Sequence, residues 1–328
     1  MRGVSIATLA SPATIALLVA CATDPNPAAP KLQAMSFANS EWSEPVNLGP
    51  VVNSSAGDQN AALSKDGLSL YFSSTRAGGA GGLDIWLSQR DCTDADDPAC
   101  AWHTPVNLGS VINGPGADFA PNLSIDGHLL FFSSVRPDGF GGPDIYVSRR
   151  ADPNDDFGWE PAVNLGPDVN TATAENAPMY LQSSEAGVAN LYFNRGVNAL
   201  QTSDIYVAAV TREGVTLGPA EPVSELNVSG ANDAAVTVRV DGRELMFWST
   251  RAGGLGGADL WVSTRQTVHE PWSPPVDLGA PLNTASDDVT PTLSYDGRTL
   301  IFGSNRPGGQ GGNDLWMSTR TPSGKEVP

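Results

Sequence analysis

The chain has 328 residues, with 36 acidic against 18 basic side chains and a formal net charge of −18. No basic cluster interrupts that balance. A surface of this sign repels nucleic acid and anionic lipid headgroups, which excludes both as direct partners.

In chain order the first element is a leader. One positive charge, Arg2, precedes an apolar run that ends in "ALLVAC", too short to span a membrane and finishing on small residues. Residues 1–20 read as an export signal and 21–40, proline-containing and without periodicity, as a flexible tether. Residues 41–321 read as the folded domain and 322–328 as a tail. Leu18-Val19-Ala20-Cys21 resembles the lipobox of bacterial lipoproteins. The resemblance implies cleavage before Cys21, lipidation of its sulfur and contact with membrane through that anchor only. Ala22 stands where an inner-membrane retention signal would carry aspartate, so the expected location is the periplasmic side of a bacterial outer membrane. Plain cleavage at Ala20 and release as a soluble periplasmic or secreted protein is the alternative. In such a compartment Cys92 and Cys100, which bracket a short acidic loop, are expected to form a disulfide.

The folded part is a repeat. "STRAGGAGGLDIWLSQR" (74–90) recurs as "SVRPDGFGGPDIYVSRR" (134–150), "STRAGGLGGADLWVSTR" (249–265) and "SNRPGGQGGNDLWMSTR" (304–320). With the degenerate copy at Asp204, the closing aspartate falls at 84, 144, 204, 259 and 314. A period of this length fits a propeller blade with a long connection. Each unit divides into four short strands. The first, as in "APNLS" or "TPTLS", ends in an Asp-Gly dipeptide at 66, 126, 241 and 296, the signature of a hairpin turn. The second alternates, with Leu70 and Phe72, Leu130 and Phe132, Leu245 and Phe247, and Leu300 and Phe302 on one face. The third is "DIWLS" or its variants, and the fourth is "WxxPVNLG", headed by Trp42, Trp102, Trp159 or Trp272. One such fourth strand precedes the first complete unit and none follows the last. The amino-terminal strand therefore completes the final blade, which removes a free sheet edge. The expected fold is all-β, a five-bladed propeller of four-stranded antiparallel blades, and the expected state a monomer.

"PxLSxDGxxLxFxSxRxGGxGGxDIYVS" joined to "WxxPVNLG" resembles the WD40-like, or PD40, repeat of TolB-like and OmpA-associated envelope proteins. The third unit departs from it, lacking both the Asp-Gly turn and the glycine run. The resemblance implies a non-catalytic scaffold that docks envelope proteins, or peptidoglycan and other glycan, through one face. Within the glycine turns the tips Ala80, Phe140, Leu255 and Gln310 vary between invariant flanks, as a recognition surface would, with Phe140 and Leu255 as exposed apolar anchors.

Two repeated sets surround the same face. One is acidic: Asp58, Asp118, Glu175, Asp233 and Asp288, with an asparagine upstream of each at 53, 113, 170, 227 and 283. Opposite stand Arg76, Arg136, Arg251 and Arg306, each eight residues before Asp84, Asp144, Asp259 or Asp314. Identical groups in every unit suit blade stitching by charge-assisted hydrogen bonds. The alternative is an acidic ring around the channel mouth, which would make this a carbohydrate-binding or glycoside-hydrolysing propeller acting through a carboxylate pair. No cofactor is called for. Calcium is the one metal the residues suggest, at the acidic ring, at the glycine turns or at the acidic loops 91–100 and 151–160, and the loops read more simply as solvated charge. No Gly-x-Ser-x-Gly elbow or Gly-Lys-Ser/Thr loop is present, and His103, His128 and His269 fall away from the acidic face, so no catalytic residue is expected.

Overall fold

The computed structural model describes residues 41–94, 97–182, 188–198 and 202–321. The leader, Cys21, the tether, Asp96 and the tail lie outside the described residues. The described chain forms five four-stranded antiparallel sheets. The first blade comprises Asp58–Leu63, Ser69–Ser74, Asp84–Gln89 and Val106–Asn107. The second comprises Asp118–Leu123, Leu129–Ser134, Asp144–Arg149 and Val163–Asn164. The third comprises Ala174–Gln182, Val188–Asn198, Thr202–Thr211 and Glu221–Pro222. The fourth comprises Asp233–Val238, Glu244–Ser249, Asp259–Thr264 and Val276–Asp277. The fifth uses Asp288–Leu293, Thr299–Ser304 and Asp314–Thr319, and takes its outer strand, Val46–Asn47, from the start of the domain. The ring closes as the repeat count requires: Val46 pairs with Met317 and Asn47 with Trp316, and a further bridge joins Trp42 to Arg320.

The second strand of each blade is covered on both faces by neighbouring blades, which is why it reads as a near-continuous apolar run. All six residues of Ser69–Ser74 and of Leu129–Ser134 are buried. Its Leu-x-Phe face packs on the preceding blade. Leu130 and Phe132 meet Tyr71, Ile85 and Leu87, while Leu70 and Phe72 meet Ile301 and Leu315 across the closing seam. Leu191 and Phe193 of the third blade obey the same rule, packing with Phe131 and Ile145. The third unit thus keeps its core positions although it lacks both turn signals. Its first three strands have 9, 11 and 10 residues against six elsewhere, so its hairpins run on where the other blades turn.

Where the turns are present their glycines are required. Gly67, Gly127, Gly242 and Gly297 hold positive φ in the Asp-Gly hairpins. In the longer turn a Cβ on Gly79 would overlap the Asp84 carboxylate, and one on Gly81 would overlap the Gly116 carbonyl of the next crossover.

Candidate functional site

The acids at the start of the inner strands, first in four blades as Asp58, Asp118, Asp233 and Asp288 and second in the third blade as Glu175, are fully buried and face the crossovers. Asp58 accepts from the Ser54 backbone N–H at 2.6 Å and hydroxyl at 2.9 Å with one oxygen, and from Arg76 Nη2 at 2.6 Å with the other. Arg76 also donates to the Val52 carbonyl of the crossover and lies over the Phe72 and Trp86 rings. The same pairing joins Asp118 to Arg136 at 3.2 Å, Asp233 to Arg251 at 2.5 Å and Asp288 to Arg306 at 2.6 Å. Each pair therefore ties an inner strand to its own second strand and to the preceding crossover. In the third blade the partner is Arg195, whose Nε is 2.8 Å from Glu175. Arg195 occupies the register position of Ser74, two residues earlier than the other arginines, and the longer glutamate spans the difference. That compensation was readable from "LYFNRG" by aligning Phe193 with Phe72.

Burial pushes the Asp118 carboxyl above the usual range, against the opposing effects of Ser134, the Gly114 N–H and Arg136. The upstream asparagines are buried or half-buried and bind backbone in pairs: Asn113 accepts from Ile85 N–H and donates to the Ile85 carbonyl, both at 2.9 Å. Asp84, Asp144, Asp259 and Asp314 close the glycine turns. Asp84 accepts from Ala80 N–H at 2.6 Å, Asp144 from Phe140 N–H at 2.6 Å, Asp259 from Gly256 N–H at 3.1 Å and Asp314 from Gln310 N–H. The side chains of the tips Ala80, Phe140, Leu255 and Gln310 stay exposed at the rim. Asp204, the equivalent aspartate of the third blade, is held above the usual carboxylate range by burial, reinforced by Asp233.

A different set faces the axis. The residue after each acid is Gln59, Phe119, Asn176, Ala234 or Val289, so this position differs in every blade. All five line a funnel of about 680 Å³. From the second strands come Asn194 and Trp248, which stand in register with Ser73, Ser133 and Gly303 of the other blades. Leu83, Pro143, Ser203 and Asn313, each just before a third-strand aspartate, complete the wall. No charged side chain is among the described lining residues. The Oδ1 atom of Asn176 is buried and has no hydrogen-bond partner, while Asn313 Nδ2 donates to Gln59 Oε1 at 3.0 Å. The funnel floor is formed by Asn60, Ala120, Ala177, Ala235 and Thr290, all at φ between 49° and 53°. These strained residues are held from neighbouring strands, with Ala120 N–H donating to Ser73 Oγ at 2.9 Å and Ala177 N–H to Ser133 Oγ at 3.1 Å. Beneath them the channel narrows to a void of about 30 Å³.

The opposite face carries the acidic loops. Cys92 and Cys100 are joined by a disulfide, and Asp97 accepts from the Ala99 N–H beside it. Among the described residues, Cys92, Asp97 and Cys100 are the one group whose ligand atoms converge as for a metal, and the disulfide takes up both sulfurs. The second loop is not solvated charge throughout. Asp156 is buried and receives Arg150 Nη1, Ser69 Oγ and Tyr71 Oη, each at 2.6 Å, and Gln89 Nε2 at 2.9 Å. It seals the seam between the first two blades because the loop folds back over the first blade.

No known family matches the chain by sequence, and no curated protein does. Solved structures match it by fold. An alpha-L-arabinofuranosidase from Lactobacillus brevis is 13% identical with a TM-score of 0.57, over 85% of this chain and 97% of that one. An endo-arabinase from Bacteroides thetaiotaomicron is 16% identical with a TM-score of 0.54, over 87% and 99%. An alpha-L-arabinofuranosidase from Podospora anserina, solved with cellotriose, is 12% identical with a TM-score of 0.54, over 83% and 95%.

These findings correct four expectations. Membership of the PD40 and TolB-like class is not supported by any family match, and the similar folds are glycoside hydrolases. The residues behind that resemblance, the Asp-Gly turns, glycine runs and Leu-x-Phe faces, build the blade and leave function open. The same structures, glycoside hydrolases and arabinofuranosidases by name, speak against the expected non-catalytic docking scaffold, the expected absence of enzymatic activity and the envelope-protein partner.

Proposed function

We propose that the protein is a carbohydrate-active propeller that takes a neutral oligosaccharide into the funnel. The observation that carries this reading is the wall itself, where the amides of Gln59, Asn176, Asn194 and Asn313 stand beside the rings of Phe119 and Trp248 without an ionised group. A primary amide both donates and accepts, and so complements sugar hydroxyls, which do the same. An aromatic face offers apolar area to the C–H side of a sugar ring. A cavity of this size with few oriented polar groups is typical of small-ligand sites.

Glycoside hydrolases share the fold, so cleavage belongs in the same test as binding. Hydrolysis of a glycosidic bond takes two carboxyl groups flanking it. The carboxyls behind this wall are the inner-strand acids, and they reach a bound glycan only by turning away from their arginines. Export and lipidation at Cys21 are part of the proposal: on the periplasmic side of an outer membrane the funnel meets peptidoglycan and other glycan strands.

The test is isothermal titration and reducing-sugar release with neutral oligosaccharides of arabinose, xylose and glucose. Saturable 1:1 binding to at least one is expected. It should weaken about tenfold in Trp248→Ala, since a lost ring contact is worth roughly 1.4 kcal/mol. Failure to bind or cleave any of them, or binding indifferent to Trp248→Ala, overturns the reading.

A further inference from the structure

On the face away from the funnel, Arg90, Arg150, Arg265 and Arg320 follow four of the third strands. Each lies 4.1 to 4.5 Å from the centre of a ring, that of Trp102, Trp159, Trp272 or Trp42. Each donates Nε to the glycine carbonyl of an Asp-Gly turn. They differ in what the preceding blade offers across the seam. Arg150 meets Tyr71, together with Asp156 of its own blade, and Arg265 hydrogen-bonds with Tyr192. Arg320 grips both oxygens of Glu244, at 2.7 and 2.9 Å.

Arg90 faces the fifth blade, where the register positions of Glu244 and Tyr71 are taken by Thr299 and Ile301. Among the described residues its two Nη atoms have no hydrogen-bond or ion-pair partner. In place of an acceptor there is a cleft of about 780 Å³ between the fifth and first blades, lined by Arg90 with Trp42, Trp102, Tyr295 and Lys65. The ammonium of Lys65 lies 4.9 Å from the centre of the Tyr295 ring, so a second cation borders the same space. Of the three acids at its edge, Asp66 is engaged with Ser64 and the Leu68 N–H and Asp296 with Ser294 and the Arg298 N–H, while Glu41 is exposed and makes no ion pair with Arg90. Burial without a counter-charge holds the Arg90 guanidinium below its ordinary pKa.

The geometry points to this seam cleft as a binding site for a carboxylate-bearing ligand, whose carboxylate takes against Arg90 the place that Glu244 takes against Arg320. A guanidinium fork recognises a carboxylate bidentately, and the aromatic rings give the rest of the ligand an apolar bed. The site lies on the other face from the funnel, so its test and that of the glycan reading fail separately.

Two variants of the full chain test it, with D-glucuronate and N-acetyl-L-glutamate as probes and glucose as the neutral control. Saturable binding of a carboxylate probe that Trp248→Ala leaves unchanged is expected, with any glucose binding confined to the funnel and weakened in that variant. Preference for glucuronate supports the site with a sugar source of the carboxylate, and preference for N-acetyl-glutamate supports it with a peptide source. Arg90→Gln should weaken binding about tenfold or more. Thr299→Glu places a carboxylate on the fifth blade where the fourth has Glu244. It should abolish probe binding and raise the melting temperature, a readout that stands even if Arg90→Gln folds poorly. Absence of binding by both probes, or unchanged binding in Thr299→Glu, overturns the proposal.

Discussion

Replacing Asp156 with alanine removes the carboxylate that closes the seam between the first and second blades. Its partner Arg150 is more deeply buried still, with side-chain exposures of 3% for the arginine and 8% for the aspartate. The substitution leaves Arg150 with the Gly127 and Asp155 carbonyls, at 2.6 and 3.1 Å, and the Tyr71 hydroxyl at 3.3 Å. None of these carries a counter-charge. Breaking one side of a buried pair typically costs about 3–5 kcal/mol, because the remaining charge stays out of water. At roughly 2–4 °C per kcal/mol for a chain of this size, the melting temperature should fall by about 6–20 °C in scanning calorimetry. Removing both charges, as Arg150→Met with Asp156→Ala, should restore part of the loss, and the double-mutant coupling should fall within about 0.5–3 kcal/mol. A loss below about 1 kcal/mol would class Asp156 with exposed surface acids. That result, or strict additivity of the two changes, would refute the buried-pair reasoning.

Two further outcomes follow from the same lattice. Asp118 and Asp156 should respond oppositely to pH. Burial raises the Asp118 carboxyl, so the folded state holds its proton longer than the unfolded chain and loses stability as pH rises through the raised value. Burial also pushes Asp156 up, but hydrogen bonds from Arg150, Ser69 and Tyr71 bring it below the usual range, so its contribution is lost as pH falls through that lowered value. In melting curves across pH, wild type should therefore gain on Asp118→Asn on acidification and lose ground to Asp156→Asn; the reverse ordering contradicts the assignment. Deleting residues 41–48 should bare the edge of Asp314–Thr319, which now pairs with Val46–Asn47, and produce oligomers in light scattering. A deletion variant that stays monomeric would show that the closing strand is dispensable for guarding this edge.

The blade was legible in the sequence because its rules are local. An Asp-Gly dipeptide turns the first hairpin wherever it occurs, and Leu-x-Phe marks a strand covered on both sides without reference to distant residues. The count of fourth strands fixed where the ring closes, since a missing final strand and an extra initial one have a single economical solution. The acids and arginines were also visible as sets, and their repetition indicated a shared structural task. In the third unit the signal failed at Arg195, where a two-residue displacement is absorbed by the longer reach of Glu175.

What the sequence left open was direction. The position of Asp58 in the repeat is compatible with a carboxylate at the channel mouth. In the folded chain it points under the crossover, because the Ser54 N–H and Arg76 are within hydrogen-bond reach there. Next to it a strand irregularity between Gln59 and Ala62, with Asn60 at positive φ, accompanies the placement of Gln59 on the funnel wall. The variable residues that give the funnel its amides and rings were therefore present in the repeat but unassigned to any surface. The seams were still less accessible. Whether an arginine finds Tyr71, Glu244 or an open cleft depends on which side chain another blade presents, dozens of residues away along the chain, and only closure of the ring brings them together.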